Sequence, residues 1–134
     1  MPAETTKEFN IFLFETVDLV MNHFIKDGVR PPTLFTDDKK THRMVTNDAQ
    51  KAIDEARSMI PKLGEEVKMY CIVYEGYVTI EEKKYDVVYF EAAERGKGEG
   101  MVLGQRFKPK KFLSKFELIG NPGLVGPSKN LFAE

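Results

Sequence analysis

The chain has 134 residues, of which 20 are basic and 21 acidic, so its formal net charge is -1. This length fits a single domain, residues 1–134, with its own core. The near-neutral balance supplies no long-range field for phosphate backbones or anionic lipid, so nucleic acid and membranes are not predicted partners. A single cysteine, Cys71, excludes a disulfide framework and a cysteine-based zinc site, and it favours a reducing cytoplasm.

The first predicted element is a helix that begins near Thr5. Thr5 and Glu8 match the capping box, in which each side chain satisfies an orphan amide of the first turn. Apolar residues then recur at steps of three and four and form a core-facing stripe: Phe9, Leu13, Val17, Val20, Met21 and Phe24. Gly28 ends the helix. The stripe is widened, as fits deep burial or contact with another subunit, by Ile11, Phe12 and Phe14.

A small hairpin and a second helix follow. The hairpin is predicted from two β-prone pieces, residues 33–36 and 43–45, around a polar turn at 37–40. Thr46 can cap the second helix. Its apolar stripe is Ala49, Ala52, Ile53, Ala56 and Ile60. The opposite side is predicted to face solvent and carries Lys51, Asp54, Glu55 and Arg57.

Residues 67–107 predict an antiparallel meander, the structural centre of the chain. A two-residue turn at Glu82 and Lys83 would place Tyr74 opposite Glu91. One face, named here the tyrosine face, then carries Tyr70, Ile72, Tyr74, Val78, Ile80, Tyr85, Val87, Tyr89 and Glu91. The other, the apolar face, carries Met69, Cys71, Val73, Tyr77, Val88, Phe90 and Ala92. The third strand adds Val102, Gly104 and Arg106 to the tyrosine face, and Met101, Leu103 and Phe107 to the apolar face.

The rest of the chain predicts a last strand at residues 116–119 and a Gly/Pro coil at 121–127 that lies over the surface. The predicted fold is therefore α+β, with element order α-ββ-α-ββββ. Two helices pack on one face of a four- to six-stranded, mainly antiparallel sheet. Because the apolar face is the more purely hydrophobic, we assign both helices to it.

Motifs for catalysis or metal binding are weak. The loop 95–100 has a glycine at every second position, but it lies between two strands, so a hairpin turn explains it better than a phosphate cradle. Asp37 and Asp38 near His42 come closest to a metal cluster, and a charged turn accounts for them equally well. We therefore predict no metal site, no cofactor and no catalytic residue.

The candidate binding residues are Tyr74, Tyr89, Glu91 and Arg106 on the tyrosine face. A carboxylate among apolar neighbours needs a donor, and the predicted register offers Arg106, opposite Tyr89 and diagonal to Glu91, with the Tyr74 hydroxyl second. Such a face is too apolar to stay fully wet. The C-terminal coil, a second subunit or a ligand would cover it.

Two functional hypotheses follow. The first is a non-catalytic binding or interaction module that uses the tyrosine face, with a protein partner, a second copy or a small molecule as the ligand. A homodimer through that face could be helped by Ile11 and Phe14. The second is a small-molecule enzyme or sensor with a pocket at the edge of the same face. The sequence does not choose between them.

Overall fold

The computed structural model describes residues 5–27, 31–44, 48–109 and 116–132. Within them the elements are α1 (Lys7–Asp27), β1 (Thr33–Thr36), β2 (Thr41–Arg43), α2 (Ala49–Met59), a 3₁₀ turn (Ile60–Lys62), β3 (Met69–Ile80), β4 (Lys83–Glu94), β5 (Glu99–Pro109) and β6 (Phe116–Lys129). The strands form one antiparallel sheet in the order β2-β1-β3-β4-β5-β6. The predicted α+β class and element order are confirmed.

Helix α1 begins one residue later than its predicted cap. The Thr6 hydroxyl, not that of Thr5, accepts a hydrogen bond from the amide of Phe9 at 3.0 Å. The same hydroxyl donates to the Glu94 carboxylate at 2.9 Å, so the cap also ties the helix to β4. The described part of the predicted stripe is buried, at Phe9, Leu13, Val17, Val20 and Met21. Gly28 and the side chain of Phe24 lie outside the described residues.

The two helices pack on opposite faces of the sheet, so their predicted placement on one face is wrong. Helix α1 packs on the apolar face, in a cluster that includes Cys71 and Phe90. Its 21 residues extend about 30 Å, enough to occupy much of that face. Helix α2 instead packs on the tyrosine face against Tyr70. The small side chains of Ala52 and Ala56 allow this close approach.

The hairpin before α2 is confirmed, with β1 and β2 flanking a turn in which Lys39 has a positive φ of 67°. Strand β2 ends at Arg43, and Val45 lies outside the described residues. The cap of α2 is Asp48, whose carboxylate accepts from the amide of Lys51 at 3.1 Å. The predicted cap, Thr46, lies outside the described residues.

The β3–β4 register differs from the predicted one by two residues. The turn is at Glu81 and Glu82, whose φ angles are 50° and 65°, and Tyr74 therefore lies opposite Tyr89 rather than Glu91. The β4–β5 pairing is also shifted by two, so Arg106 lies opposite Val87. A shift by an even number leaves every side chain on its predicted face.

The predicted coil at residues 121–127 is part of β6, which is a correction. Strand β6 is at the edge of the sheet, where proline is tolerated because only one side must supply ladder hydrogen bonds. Its pairing with β5 shifts between Val102 and Leu103 and again between Gly104 and Arg106, as β-bulges do. The last described residues return over β3, where the Phe132 ring meets that of Tyr70 edge-on.

Candidate functional site

The tyrosine face has a covered half and an open half. Helix α2 lies over the covered half, where Tyr70, Ile72, Glu91 and Ala93 are at most 5% exposed. The open half lies towards the β3–β4 turn and contains Val78, Ile80, Tyr85, Val87, Tyr89, Gly104 and Arg106. Tyr74 packs at the boundary, against the cluster under α2. The structure thus brings Tyr74, Tyr89 and Glu91 together and leaves Arg106 apart.

Glu91 is held by donors from a helix and a strand. Arg57 of α2 donates from Nη2 to Oε1 at 2.8 Å and from Nε to Oε2 at 3.2 Å. The Tyr74 hydroxyl donates to Oε1 at 3.1 Å, as predicted. The carboxylate is 7% exposed and the Arg57 side chain 37% exposed. Both carboxylate oxygens are therefore satisfied, which fits a structural ion pair that fastens α2 to the sheet.

The ion pair alters the acidity of its neighbours. The hydrogen bond to Glu91 raises the pKa of the Arg57 guanidinium, so this group stays charged. Burial, followed by the nearby charge of Glu91, raises the pKa of Tyr74 from 10.0 to about 12. The Tyr74 hydroxyl is therefore a proton donor throughout the neutral range and not a base.

The predicted Glu91–Arg106 pair is wrong. The two-residue register difference places Val102, not Arg106, beside Glu91. The Arg106 guanidinium carbon instead lies 4.8 Å from the centroid of the Tyr85 ring, a cation–π contact. Among the described residues, no carboxylate is within 4.0 Å of the Arg106 guanidinium. Arg106 is thus a partly buried cation with aromatic support and without a counter-ion in the described chain.

Tyr89 connects the two halves of the face. Its ring is 5.6 Å from that of Tyr74, centroid to centroid, and its hydroxyl donates to the carbonyl of Tyr77 at 2.8 Å. A Cβ at Gly76 would lie 2.8 Å from the Tyr89 ring, so the glycine makes room for this ring to lie across β3. Tyr89 therefore forms a fixed wall between the Glu91–Arg57 ion pair and the rest of the open half.

An open groove of about 400 Å³ lies between this wall and β6. Its lining is mainly aliphatic, with polar groups at Tyr89, Arg106 and Asn121; the remaining residues are Val78, Ile80, Val87, Gly104, Gly123, Leu124 and Val125. Among the lining side chains Ile80 is 42% exposed, Leu124 53% and Val125 60%. An apolar surface with one cation is thus accessible to a ligand.

The groove offers little for catalysis. Its described lining contains no histidine, cysteine, aspartate or glutamate. Elsewhere, Asp37 accepts hydrogen bonds from the amides of Lys68 and Met69, and Asp38 accepts one from the Thr36 hydroxyl, so the acids near His42 already have structural partners. No group of three metal-ligating side chains occurs in the described part of the chain. Cys71 is fully buried, and burial raises the pKa of its thiol.

Two features of the site were missed from sequence. Arg57 was assigned to the solvent side of α2, although it lies four residues after Ile53 and three before Ile60, both buried. Those spacings put it at the edge of the apolar stripe, where a long side chain can reach the sheet. The contribution of Leu124 and Val125 was hidden because glycines and prolines around them favour coil over strand.

No protein-family model, curated protein or solved structure matches this chain. Neither described helix has both the length and the apolar character needed to cross a membrane. The open groove and the Glu91–Arg57 ion pair beside it are the features of the described chain that bear on function.

Proposed function

We propose that the protein is a non-catalytic binding module whose open groove takes a small amphipathic molecule with an apolar body and one anionic group. The observation that carries this proposal is Arg106, a cation on an aliphatic surface with no carboxylate partner among the described residues. A guanidinium in such surroundings gains more from an anion than it does in open water. A carboxylate, sulfonate or phosphate would supply that anion.

The shape of the groove supports the same ligand class. Its volume of about 400 Å³ lies within the range of small-molecule sites. The aliphatic side chains of Val78, Ile80 and Val87 would contact the apolar body, and the Asn121 amide offers one further polar contact. Lys83, whose ammonium is 5.5 Å from the Tyr85 ring, adds a second positive charge beside the ring that Arg106 contacts.

The alternative, a small-molecule enzyme or sensor with a pocket at the edge of the same face, is the weaker proposal. General acid–base chemistry needs a group that can exchange a proton near neutral pH, and the described groove lining offers only a phenol and a guanidinium. We also propose the cytoplasm as the compartment, since the single cysteine is buried and unpaired.

The experiment compares two related fluorescent probes, anilinonaphthalene sulfonate and the neutral N-phenylnaphthylamine, which lacks the sulfonate. Arg106→Met should weaken binding of the sulfonate about tenfold or more, since hydrogen bonds to charged groups contribute about 1.5–3 kcal/mol. Binding of the neutral probe should change little. Arg43→Met, on an exposed residue of the opposite edge strand β2, is the matched control.

A second pair of variants tests the location. A Cβ at Gly123 or at Gly126 would meet no atom within 4 Å, but only Gly123 lines the groove. Gly123→Leu should therefore abolish binding of both probes, whereas Gly126→Leu should not. The proposal is wrong if neither probe binds the wild-type protein, or if the members of each pair behave alike.

A further inference from the structure

A second groove, of about 540 Å³, lies on the other side of the sheet between α1 and the β1–β2 hairpin. Its apolar lining comes from both walls and comprises Ile11, Phe12, Leu19, Phe35 and Met69. Ile11 is 50% exposed and Leu19 48%, and Phe14, outside the groove on the same helix, is 55% exposed. Exposed apolar side chains beside an apolar groove are typical of a contact site.

The two walls of this groove carry opposite charge. Helix α1 contributes Glu8 and Glu15, and the hairpin contributes Lys39, Lys40 and one acid, Asp37, so the net charge of the lining is negative on one wall and positive on the other. Among the described residues, no cation is within 4.0 Å of either glutamate and no carboxylate is within that distance of Lys39. Lys40 has only a long contact, 3.9 Å, with Asp38. The charges face the groove without being paired across it.

The acids of the hairpin keep their charge, but their oxygens are occupied by donors of the turn and of the start of β3. Asp37 accepts hydrogen bonds from the amides of Lys68 and Met69, at 2.9 and 3.1 Å. Asp38 accepts from the Thr36 hydroxyl and from the amide of Lys40. Both carboxylates are therefore directed into the turn and the start of β3, and the lysines are the charges that the turn presents outward.

From these observations we infer that this groove is an interface between two copies of the chain. A two-fold contact uses the same patch twice, so a self-complementary patch must carry both signs of charge on separate walls. In the dimer the exposed surface of each α1 lies in the groove of the other copy. Glu8 and Glu15 then meet Lys39 and Lys40 of the second copy, and Ile11 and Leu19 lose water.

A partner of one charge sign fits this groove less well, because it would meet one wall of like charge. The contact lies on the face opposite the open groove, so it goes beyond the proposed function and does not depend on it. It also differs from the homodimer expected from sequence, which used the tyrosine face.

The first test is sedimentation equilibrium over a dilution series of the full chain. We expect a mass of twice 15.3 kDa that falls to the monomer mass on dilution. Leu19→Gln should raise the dissociation constant about tenfold or more, because symmetry removes the buried leucine from both copies. Ile80→Gln is the matched control, since it changes another large aliphatic residue at similar exposure, 42%, on the tyrosine face.

The second test reverses the charges of one wall at a time. Lys39→Glu with Lys40→Glu gives two acidic walls, and Glu8→Lys with Glu15→Lys gives two basic walls. Each variant alone should be monomeric, because both contacts of its dimer become repulsive. An equimolar mixture should form a heterodimer in which both contacts are attractive.

These positions are exposed on the surface, and far-ultraviolet circular dichroism checks that each variant keeps its fold. A wild-type chain that stays monomeric over the whole dilution range overturns the inference. So does a mixture that stays monomeric, or an Ile80→Gln variant that dissociates as readily as Leu19→Gln.

Discussion

The covered and open halves of the tyrosine face share strands β3 and β4, and the open half extends onto β5. Ile72 and Ile80 are on the same side of β3, yet Ile72 is 0% exposed and Ile80 42%. The difference comes from α2, which packs over the first and leaves the second in the groove. The surface that a strand presents is thus decided by the layer above it as much as by its own pattern.

The largest effect expected from this comparison is on stability. Ile72→Ala should lower the free energy of unfolding by about 2–5 kcal/mol, because it removes a fully buried side chain and leaves a cavity. Ile80→Ala should cost far less, since much of that side chain is already in water. Urea unfolding of the two variants measures both values.

Equal losses at the two isoleucines would contradict the division of the face into halves. A larger loss at Ile80 would mean that the groove is closed in solution, by a ligand or by another copy. The m-values should agree between variants, because a change in m would report a change in the compactness of the unfolded or native state.

The two arginines of the face give a smaller contrast. Arg57→Met leaves the Glu91 carboxylate, 7% exposed, without its charged donor and should cost about 1–3 kcal/mol. The loss stays below that of a fully buried pair because Arg57 itself is 37% exposed. Arg106→Met should cost less, since it breaks no ion pair among the described residues.

A double-mutant cycle identifies the partner of Glu91. Combining Glu91→Gln with Arg57→Met should recover part of the loss, whereas combining it with Arg106→Met should give additive effects. Coupling of Glu91 to Arg106 instead would restore the register expected from sequence. The measurement therefore distinguishes the partner on α2 that the structure shows from the partner on β5 expected from sequence.

The β3–β4 and β4–β5 registers show which features of the sheet the sequence determines. The period-two pattern predicted the face of every described meander residue, because an even shift leaves the alternation intact. The partner of Glu91 was not predictable in this way, since a two-residue shift leaves the pattern unchanged but moves Arg106 away along the strand. The turn sequence does not indicate the β3–β4 register either, because neither Glu81 nor Glu82 is a residue that favours positive φ.

The helices show a second limit. Their stripes were predicted well, but a stripe does not say which face of a sheet receives it, and both faces here are apolar enough to be covered. The face that α2 covers is indicated by Arg57. Its position at the edge of the apolar stripe allows it to pair with the buried carboxylate of Glu91, which lies on the tyrosine face. The coil predicted at residues 121–127 was wrong for a different reason. The local propensity of proline favours coil, but the edge position of β6 permits a strand.

The pH dependence of stability gives the next contrast, between the buried Tyr74 and the exposed Tyr77. Burial and Glu91 raise the pKa of Tyr74 to about 12 from 10.0, so in the unfolded chain this tyrosine loses its proton first as the pH rises. Its contribution to stability is complete below pH 10.0 and is lost as the pH approaches about 12.

Tyr74→Phe should therefore make the free energy of unfolding depend less on pH in this window. Tyr77→Phe, on a residue that is 63% exposed, is the control and should leave the dependence as in the wild type. Urea midpoints at a series of pH values measure the slopes. Parallel curves for the wild type and Tyr74→Phe would contradict the buried environment that the covered half gives this hydroxyl.

The smallest expected effect is in the open half, at the β3–β4 turn. Glu81 and Glu82 both have positive φ, at 50° and 65°, which a side chain with a Cβ adopts at a cost. Replacing them by Asn and Gly, the pair that this turn geometry favours, should raise stability by about 0.5–1 kcal/mol. The gain should appear at the urea midpoint without loss of probe binding, since neither residue lines the groove. Lys83→Gly is the control and should destabilise, because Lys83 is already in β4 and glycine weakens a strand. A loss of stability in the Asn-Gly variant would contradict the turn at Glu81 and Glu82 and favour a turn at Glu82 and Lys83, with β4 shifted by two residues against β3.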